Sequence, residues 1–425
     1  MKRKLLIFAA ADGIKSQYTG VGVVVSFFFE AFKEIKQIFD IGHTELIAVT
    51  PKISTKNKNF DSRIFQITHA ACFQNKGYIH EIADFRKTES LDELWFGNPE
   101  TNSVLMWESI SLSLASFIDG VSVFYDEVTV IAHDTIFAKT SCYLTATNVF
   151  LLWIPHSLGS LFNDHKQKER IQFEKEGIND LVEKNFKIGI ISNLTKDCLV
   201  KDFKLNDTHF SFLSSGIYLN SNKYLVQPAD KETLKQFNIP QDKKIIFSWG
   251  RCSFQKGIDF ILDAIIEIGE MNERFFNEYH LVLICPIQTG TDEYVKMVKD
   301  KVNKISAHVT FIDSYQETLQ FSILKYQKTA LTIIASRFES FGLTSIEAKL
   351  LANKNVKIIY TGIPTFKEVF DSSTNAWCLQ TFDGSSLSVL IKQVLSNDMV
   401  NNQQESDERY NFVHNYANAL KEYLS

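Results

Sequence analysis

Two short segments carry residue types that suit a phosphorylated ligand and its hydroxyl groups. In W-G-R-C-S-F-Q-K-G, residues 249–257, Arg251 and Lys256 stand between Gly250 and Gly257, after an apolar run and before a helical one. Two cations beside the free N–H groups of a helix start suit a diphosphate. A solvated surface pair, with the glycines serving only the turn, accounts for the same residues equally well. In S-R-F-E-S-F-G-L-T-S-I-E-A-K, residues 336–349, Glu339 sits in a loop, Phe341, Gly342 and Leu343 open a helix, and Glu347 lies on it. This spacing lets both carboxylates face one ligand, and each accepts several hydrogen bonds from sugar or ribose hydroxyls. The bland alternative is one helix-stabilising glutamate and one surface glutamate.

A third group lies in the first half. An apolar run over 148–154 ends in Pro155-His156-Ser157-Leu158-Gly159. There His156 is either a donor to a sugar hydroxyl or leaving oxygen, or a hydrogen-bonded structural histidine. V-T-V-I-A-H-D ends another run in His133-Asp134, where the aspartate orients a neighbour or caps a helix. Gly20 and Gly22 in the first loop would let backbone N–H groups approach a phosphate or a transferred sugar. They lack the third glycine and the acidic residue of a dinucleotide fingerprint. No P-loop, H-E-x-x-H or G-x-S-x-G pattern occurs, and Ser214-Ser215-Gly216 has the wrong spacing for a nucleophile elbow. No His/Cys/Asp cluster has metal-ligand spacing, so neither a metal nor another cofactor is expected.

The elements that would position these groups read as two sheet-and-helix halves. Apolar runs at 5–11, 45–49, 128–132, 148–154 and 187–191 predict strands covered on both faces. Helical periods fall at 24–39, 108–118, 166–184 and 194–203, and 51–102 reads as insertion plus loops. The second half predicts strands at 244–249, 280–284, 309–313, 331–335 and 356–360. Between and after them come helices at 257–269, 291–305, 316–327, 342–353 and 364–370. Strands alternating with helices mean parallel sheets, whose right-handed crossovers put every strand's C-terminal end on one rim. The expected division is a domain over 1–225 and a second over 240–400, with a seam near 222–242. A final helix within 403–425 should dock.

Composition narrows the class. With 45% hydrophobic and 22% charged residues the 425-residue chain is an ordinary globular one. A net charge of -5 gives no basic field for nucleic acid or an anionic membrane; nucleic acid is not expected as a partner, and peripheral membrane contact is left open without being indicated. Six scattered cysteines without a C-x-x-C pair point to a reduced, cytoplasmic setting. The start, M-K-R-K-L-L-I-F-A-A-A-D-G, resembles a signal peptide but reads better as a buried strand. No continuous apolar run reaches the roughly 18 residues of a membrane span. Phe27 to Phe29 lie on a helix with a buried face, so core packing is expected of them rather than membrane contact.

Together the segments resemble retaining glycosyltransferases of the GT-B fold, two Rossmann-like doubly wound α/β domains facing across a cleft, and specifically family GT4. The G-R-x-x-x-x-K-G pattern is matched by Gly250, Arg251, Lys256 and Gly257. The E-x7-E pattern is matched by Glu339 and Glu347, followed by Ala348, with Gly342 as its internal glycine. The resemblance implies a nucleotide-sugar donor, UDP-linked first, an acceptor hydroxyl of unspecified origin, and release of a nucleoside diphosphate with the anomeric configuration retained. It implies that Arg251 and Lys256 hold the diphosphate, Glu347 the ribose and Glu339 the transferred sugar. His156, Arg251, Lys256 and Glu339 would form the catalytic set, with Gly20, Gly22, Gly250, Phe341, Gly342, Leu343 and Glu347 lining the donor site. The final helix would pack back on the first domain. Ser192, Gly216 and Glu368 match lesser landmarks. The family's Gly-x-Pro after the second glutamate is replaced by Leu351-Ala352-Asn353-Lys354-Asn355-Val356. The alternatives are a catalytically inactive glycan- or partner-binding subunit, a nucleotide-sugar epimerase and a phosphorylase-like enzyme.

Overall fold

The apolar runs become parallel strands buried on both faces, because each crossover helix lays an apolar stripe on the sheet. The computed structural model describes residues 2–16, 19–38, 44–52, 60–82, 94–95, 102–161, 167–213, 216–287, 292–397 and 407–424. Ser214 and Ser215, residues 53–59, 83–93 and 96–101 of the irregular segment, and the stretch 398–406 ahead of the last helix lie outside the described residues. The chain forms two units: residues 1–218 with 409–425, and residues 219–408.

Among the described residues unit 1 holds seven strands: β1 (Lys4–Ala9), β2 (Thr44–Pro51), β3 (Ile79–Ile82), β4 (Glu127–His133), β5 (Val149–Ile154), β6 (Lys187–Ile190) and β7 (Phe210–Phe212). Their order across the sheet is β3-β2-β1-β4-β5-β6-β7. Unit 2 holds β8 (Lys244–Trp249), β9 (Tyr279–Ile284), β10 (Val309–Ile312), β11 (Thr329–Ile334), β12 (Lys357–Thr361) and β13 (Ala376–Leu379), in the order β10-β9-β8-β11-β12-β13. Every strand pair is parallel. The direction of winding reverses between β1 and β4 in unit 1 and between β8 and β11 in unit 2. At such a switch point neighbouring loops diverge and leave a crevice at the carboxyl ends of the strands. Every candidate site segment follows a strand at or beside one of these two points.

The expected elements differ from the observed ones in particular places. Strands β3, β7 and β13 are additional, and each is an edge strand of three or four residues. The segment 222–242, expected as a seam, belongs to unit 2, where Tyr224 is buried against Phe321 with ring centroids 4.9 Å apart. Helix α1 spans Gly20–Ile38, so Gly20 and Gly22 lie in its first turn rather than in a loop ahead of it. The helix Ser103–Ser122 is longer than the predicted 108–118 because the Asn102 side chain caps it, accepting from the N–H of Leu105 at 3.0 Å. That helix is long and apolar enough on average to cross a membrane, although serines interrupt its apolar run. Its Trp107, Ile110, Leu114, Ala115 and Ile118 are buried in the core of unit 1.

Phe27, Phe28 and Phe29 are buried in unit 1. Phe28 stacks on Phe8 of β1 at 4.0 Å. The helix Phe412–Leu424 packs on α1, with Phe412 5.7 Å from Phe27 and Tyr416 5.5 Å from Phe28 between ring centroids.

Candidate functional site

In unit 2 the backbone turns sharply after β8. Gly250 has φ +142°, and the short turn Phe254–Lys256 ends at Gly257, with φ +64°, before helix α2 (Ile258–Met271). This turn aims Lys256 back across the end of the sheet, where its Nζ is paired with Glu339 Oε1. Glu339 follows β11, the strand beside β8. Its carboxylate also accepts from Ser336 Oγ at 3.0 Å, and its carbonyl accepts from Thr365 Oγ1 at 2.7 Å. Arg251 Nη2 donates to Gln255 Oε1 at 3.2 Å. Gln255 Nε2 in turn donates to the carbonyl of Phe338 at 2.9 Å, tying the two loops together.

Gly342, flanked by the half-buried Phe341 and Leu343, introduces helix α3 (Leu343–Leu351) with φ +74°. A Cβ there would be strained by that φ and would stand 2.9 Å from the Phe366 ring. One turn into α3, Glu347 is 3% exposed. Its Oε1 accepts from the Tyr224 hydroxyl at 2.8 Å and lies 3.5 Å from Lys223 Nζ, and Oε2 faces Trp249 Nε1 at 3.4 Å. Both glutamates are therefore already engaged, Glu339 by a cation and a hydroxyl, Glu347 by one close hydroxyl and two longer contacts. A carboxylate offers about four lone-pair directions, so hydroxyl donors from a ligand find acceptor capacity left at both. Chemically this is a cation pair for an anion beside two acceptors for hydroxyls.

In unit 1 the loop after β1 wraps round Asp12. Its Oδ1 accepts from Gly13 N at 3.0 Å and Ser16 Oγ at 2.8 Å, and its Oδ2 from Thr19 N at 2.7 Å and Thr19 Oγ1 at 2.8 Å. Thr19 Oγ1 then accepts from Gly22 N at 3.2 Å, which starts α1 four residues earlier than its apolar period. Gly22 is needed by close approach, since a Cβ there would stand 2.3 Å from Asp12 Oδ2, whereas one at Gly20 would meet nothing within 4 Å.

His156 follows β5 and lies beside His133, the last residue of β4. The register pairs His133 with Ile154, two residues before His156. His133 Nδ1 and His156 Nε2 are 2.8 Å apart. Asp134 has φ +81° and ψ 168°, a conformation other residues than glycine rarely hold. It is held by its N–H to Ile154 O and by Trp153 Nε1 donating to its carbonyl, both at 2.8 Å, while its carboxylate caps Thr135 N.

Behind these loops the fully buried Glu174 accepts from Gly159 N at 2.8 Å, Thr135 Oγ1 at 2.9 Å and Arg170 Nε at 2.8 Å. Arg170 also bonds Ser157. Burial holds His156 down to about 3 and His133 well below the usual histidine range, so both rings are neutral near pH 7. Burial raises the Asp134 carboxyl to about 6 against the pull of Arg170.

Sequence reasoning did not reach Asp12, Arg170, Glu174, Tyr224 or Trp249. Trp249 and Asp12 each stand at the end of an apolar run, and Arg170 and Glu174 are four apart on a helix, so a signal existed for these four. Tyr224 had none. Among the described residues no group of three or more His, Cys, Asp or Glu could hold a metal ion.

Residues 229–411 match the family model described as glycosyl transferases group 1. A stretch of 157 residues is 29% identical to the O-antigen biosynthesis glycosyltransferase WclY of Escherichia coli, covering 37% of this chain and 38% of that relative's length. Two solved structures superpose on the whole chain. Sucrose-phosphate synthase from Thermosynechococcus elongatus does so with TM-score 0.66 at 14% identity, covering 95% of its own chain. An alpha,alpha-trehalose-phosphate synthase (UDP-forming) from Burkholderia vietnamiensis does so with TM-score 0.67 at 8% identity, covering 96%. The chain thus has the GT-B fold, and its residues 229–411 form a glycosyl transferases group 1 domain.

Proposed function

We propose that the chain is a retaining glycosyltransferase, of the GT4 kind, that moves a hexose from a UDP-sugar to an acceptor hydroxyl and releases UDP. The observation that carries this reading is the meeting of Arg251, Lys256, Glu339 and Glu347 at the switch point between β8 and β11. One switch point there offers two cations to a diphosphate and two carboxylates to the hydroxyls on either side of it. The group 1 match over this same unit supports the activity, and the UDP-forming name of one structural neighbour supports the choice of nucleotide.

In this reading the diphosphate displaces Glu339 from Lys256. The freed carboxylate then accepts from hydroxyls of the transferred sugar, while Glu347 accepts from the ribose. Arg251 and Lys256 offset the charge that grows on the leaving diphosphate as the glycosidic C–O bond breaks. The acceptor oxygen attacks the face that the diphosphate leaves, and the leaving phosphate takes the acceptor's proton, so configuration is retained. His156, on unit 1, offers a neutral ring N–H to a sugar hydroxyl.

Calorimetry of the full chain against UDP, GDP and ADP tests the donor site. UDP should bind selectively, and Glu347→Ala, which removes the ribose contact that all three nucleotides share, should weaken its binding. Failure of all three nucleotides to bind would overturn the reading.

A further inference from the structure

The contact between the two histidines has more information in it than its length. Their ring planes are 20° from parallel, with centroids 5.1 Å apart and nitrogens 2.8 Å apart. Near-parallel rings whose nitrogens approach that much more closely than their centres, and more closely than two stacked planes can, meet edge to edge through an in-plane N–H···N bond. Two neutral rings share one proton in such a bond, so one nitrogen donates and the other accepts. The far nitrogen of His133 decides which. His133 is wholly buried, its ring lies 4.6 Å from that of Phe8, and its Nε2 has no hydrogen-bond partner among the described residues.

If His156 Nε2 carried the proton, His133 would keep its own on Nε2, leaving a buried donor unsatisfied. If His133 Nδ1 carries it, Nε2 is a bare lone pair. Unpaired buried N–H groups are the rarer kind of orphan in proteins, so the second arrangement is favoured.

We infer that His133 is a positioning residue: it donates Nδ1–H to His156 Nε2 and so fixes His156 in the tautomer that presents Nδ1–H as a hydrogen-bond donor. The inference rests on the reading of His156 as a sugar-contacting residue. It adds what that reading leaves open, namely which nitrogen faces the ligand and what holds it there. The fixed register of β4 on β5 and the Asp134 backbone bonds to Ile154 and Trp153 set the ring separation, so the relay is built into the sheet. A ring held this way offers only a donor, and selects for an oxygen with a free lone pair at that place.

Heteronuclear NMR of the full chain with isotopically labelled histidine tests the tautomer directly, with His156 assigned by its loss in His156→Asn. The expected result is a pyridine-type Nε2 and a pyrrole-type Nδ1 for His156. The reverse pattern would overturn the inference whether or not the chain transfers sugar.

The second arm is kinetic, with UDP-glucose as donor and water as acceptor. His133→Phe keeps a ring against Phe8 but removes the donor, and should lower kcat by about tenfold to a hundredfold with KM within about twofold. His133→Gln restores an N–H and should recover most of that loss. Unchanged kcat in a folded His133→Phe protein, or a folded Gln variant no better than Phe, would refute the positioning role. Absence of turnover in the wild type would count against the functional reading, and the NMR result would then decide the tautomer alone.

Discussion

The two switch-point regions handle polar groups in different ways. In unit 1 the carboxylates near the site are spent on the scaffold: Asp12 takes four donors from its own loop, and Glu174 takes one from each of the segments that carry His156 and Asp134 and a third from Arg170 on its own helix. What remains is a pair of neutral histidines. In unit 2 charge is left in a form that can change partners. Lys256 and Glu339 face each other with side chains 12% and 11% exposed, dry enough for the pair to matter and open enough for a ligand to part it. A scaffold of saturated carboxylates fixes geometry, whereas an exchangeable ion pair stores affinity for a charged ligand. One region is built to orient and the other to capture.

The sharpest way to break this contrast is Lys256→Ala. It should reduce sugar transfer by about a hundredfold to a thousandfold, roughly 3–4 kcal/mol of transition-state stabilisation. Steady-state kinetics with UDP-glucose would measure it, and a near wild-type rate would leave unit 2 with no claim to capture the diphosphate.

Next in size is Glu347→Ala. Loss of hydrogen bonds to a charged acceptor should weaken UDP binding by about 1.5–3 kcal/mol in calorimetry. An unchanged Kd would remove the ribose role and make Glu347 a partner of Tyr224 and Lys223 only.

A third test separates the neutral histidines from the ion pairs. Burial holds His156 at about 3 and His280, in unit 2, at about 4, and lowers His133 as well. Below the ordinary histidine value the unfolded chain gains protons that the folded chain refuses, so these groups make stability fall as pH drops through about 6.5. Asp134, raised to about 6, acts the opposite way, since its folded carboxyl keeps a proton that the unfolded one releases. Three histidines outweigh one carboxyl, and urea unfolding should show a loss on the order of 1 kcal/mol between pH 7 and pH 6. A rise over that interval would contradict the neutral assignment.

Trp249→Phe should have the smallest effect. At 3.4 Å its N–H bond to Glu347 is long, and removal should change UDP affinity by less than about 1 kcal/mol. A larger loss would mean that Trp249 itself touches the nucleotide.

Much of this was legible in the sequence where residues obey a strong local rule. Strands β1, β4, β5, β8 and β11 are continuous apolar runs because both faces are covered, and they bear the site loops. Arg251, Lys256, Glu339 and Glu347 stand out by their G-R-x-x-x-x-K-G and E-x7-E spacing, since each charge taken alone fits a solvated surface just as well. Strands β3, β7 and β13 escaped as edge strands of three or four residues, whereas β10, equally short and also at an edge, was legible because it falls in the regular strand–helix alternation of unit 2. The true start of α1 escaped because a side chain, Thr19 held by Asp12, sets it rather than an apolar period. Lys223 and Tyr224 reach Glu347 from more than a hundred positions away, and no local pattern announces a contact of that kind.

The helix Phe412–Leu424 lies on α1 although all of unit 2 separates them along the chain. During synthesis the aromatic face of α1, with Phe27 and Phe28, leaves the ribosome early and must wait for Phe412 and Tyr416. Unit 2 is contiguous and can fold in that interval, so the half made first is the half finished last. Until then unit 1 carries an uncovered aromatic surface, which makes the nascent chain's dependence on holding factors greatest while unit 2 is being made.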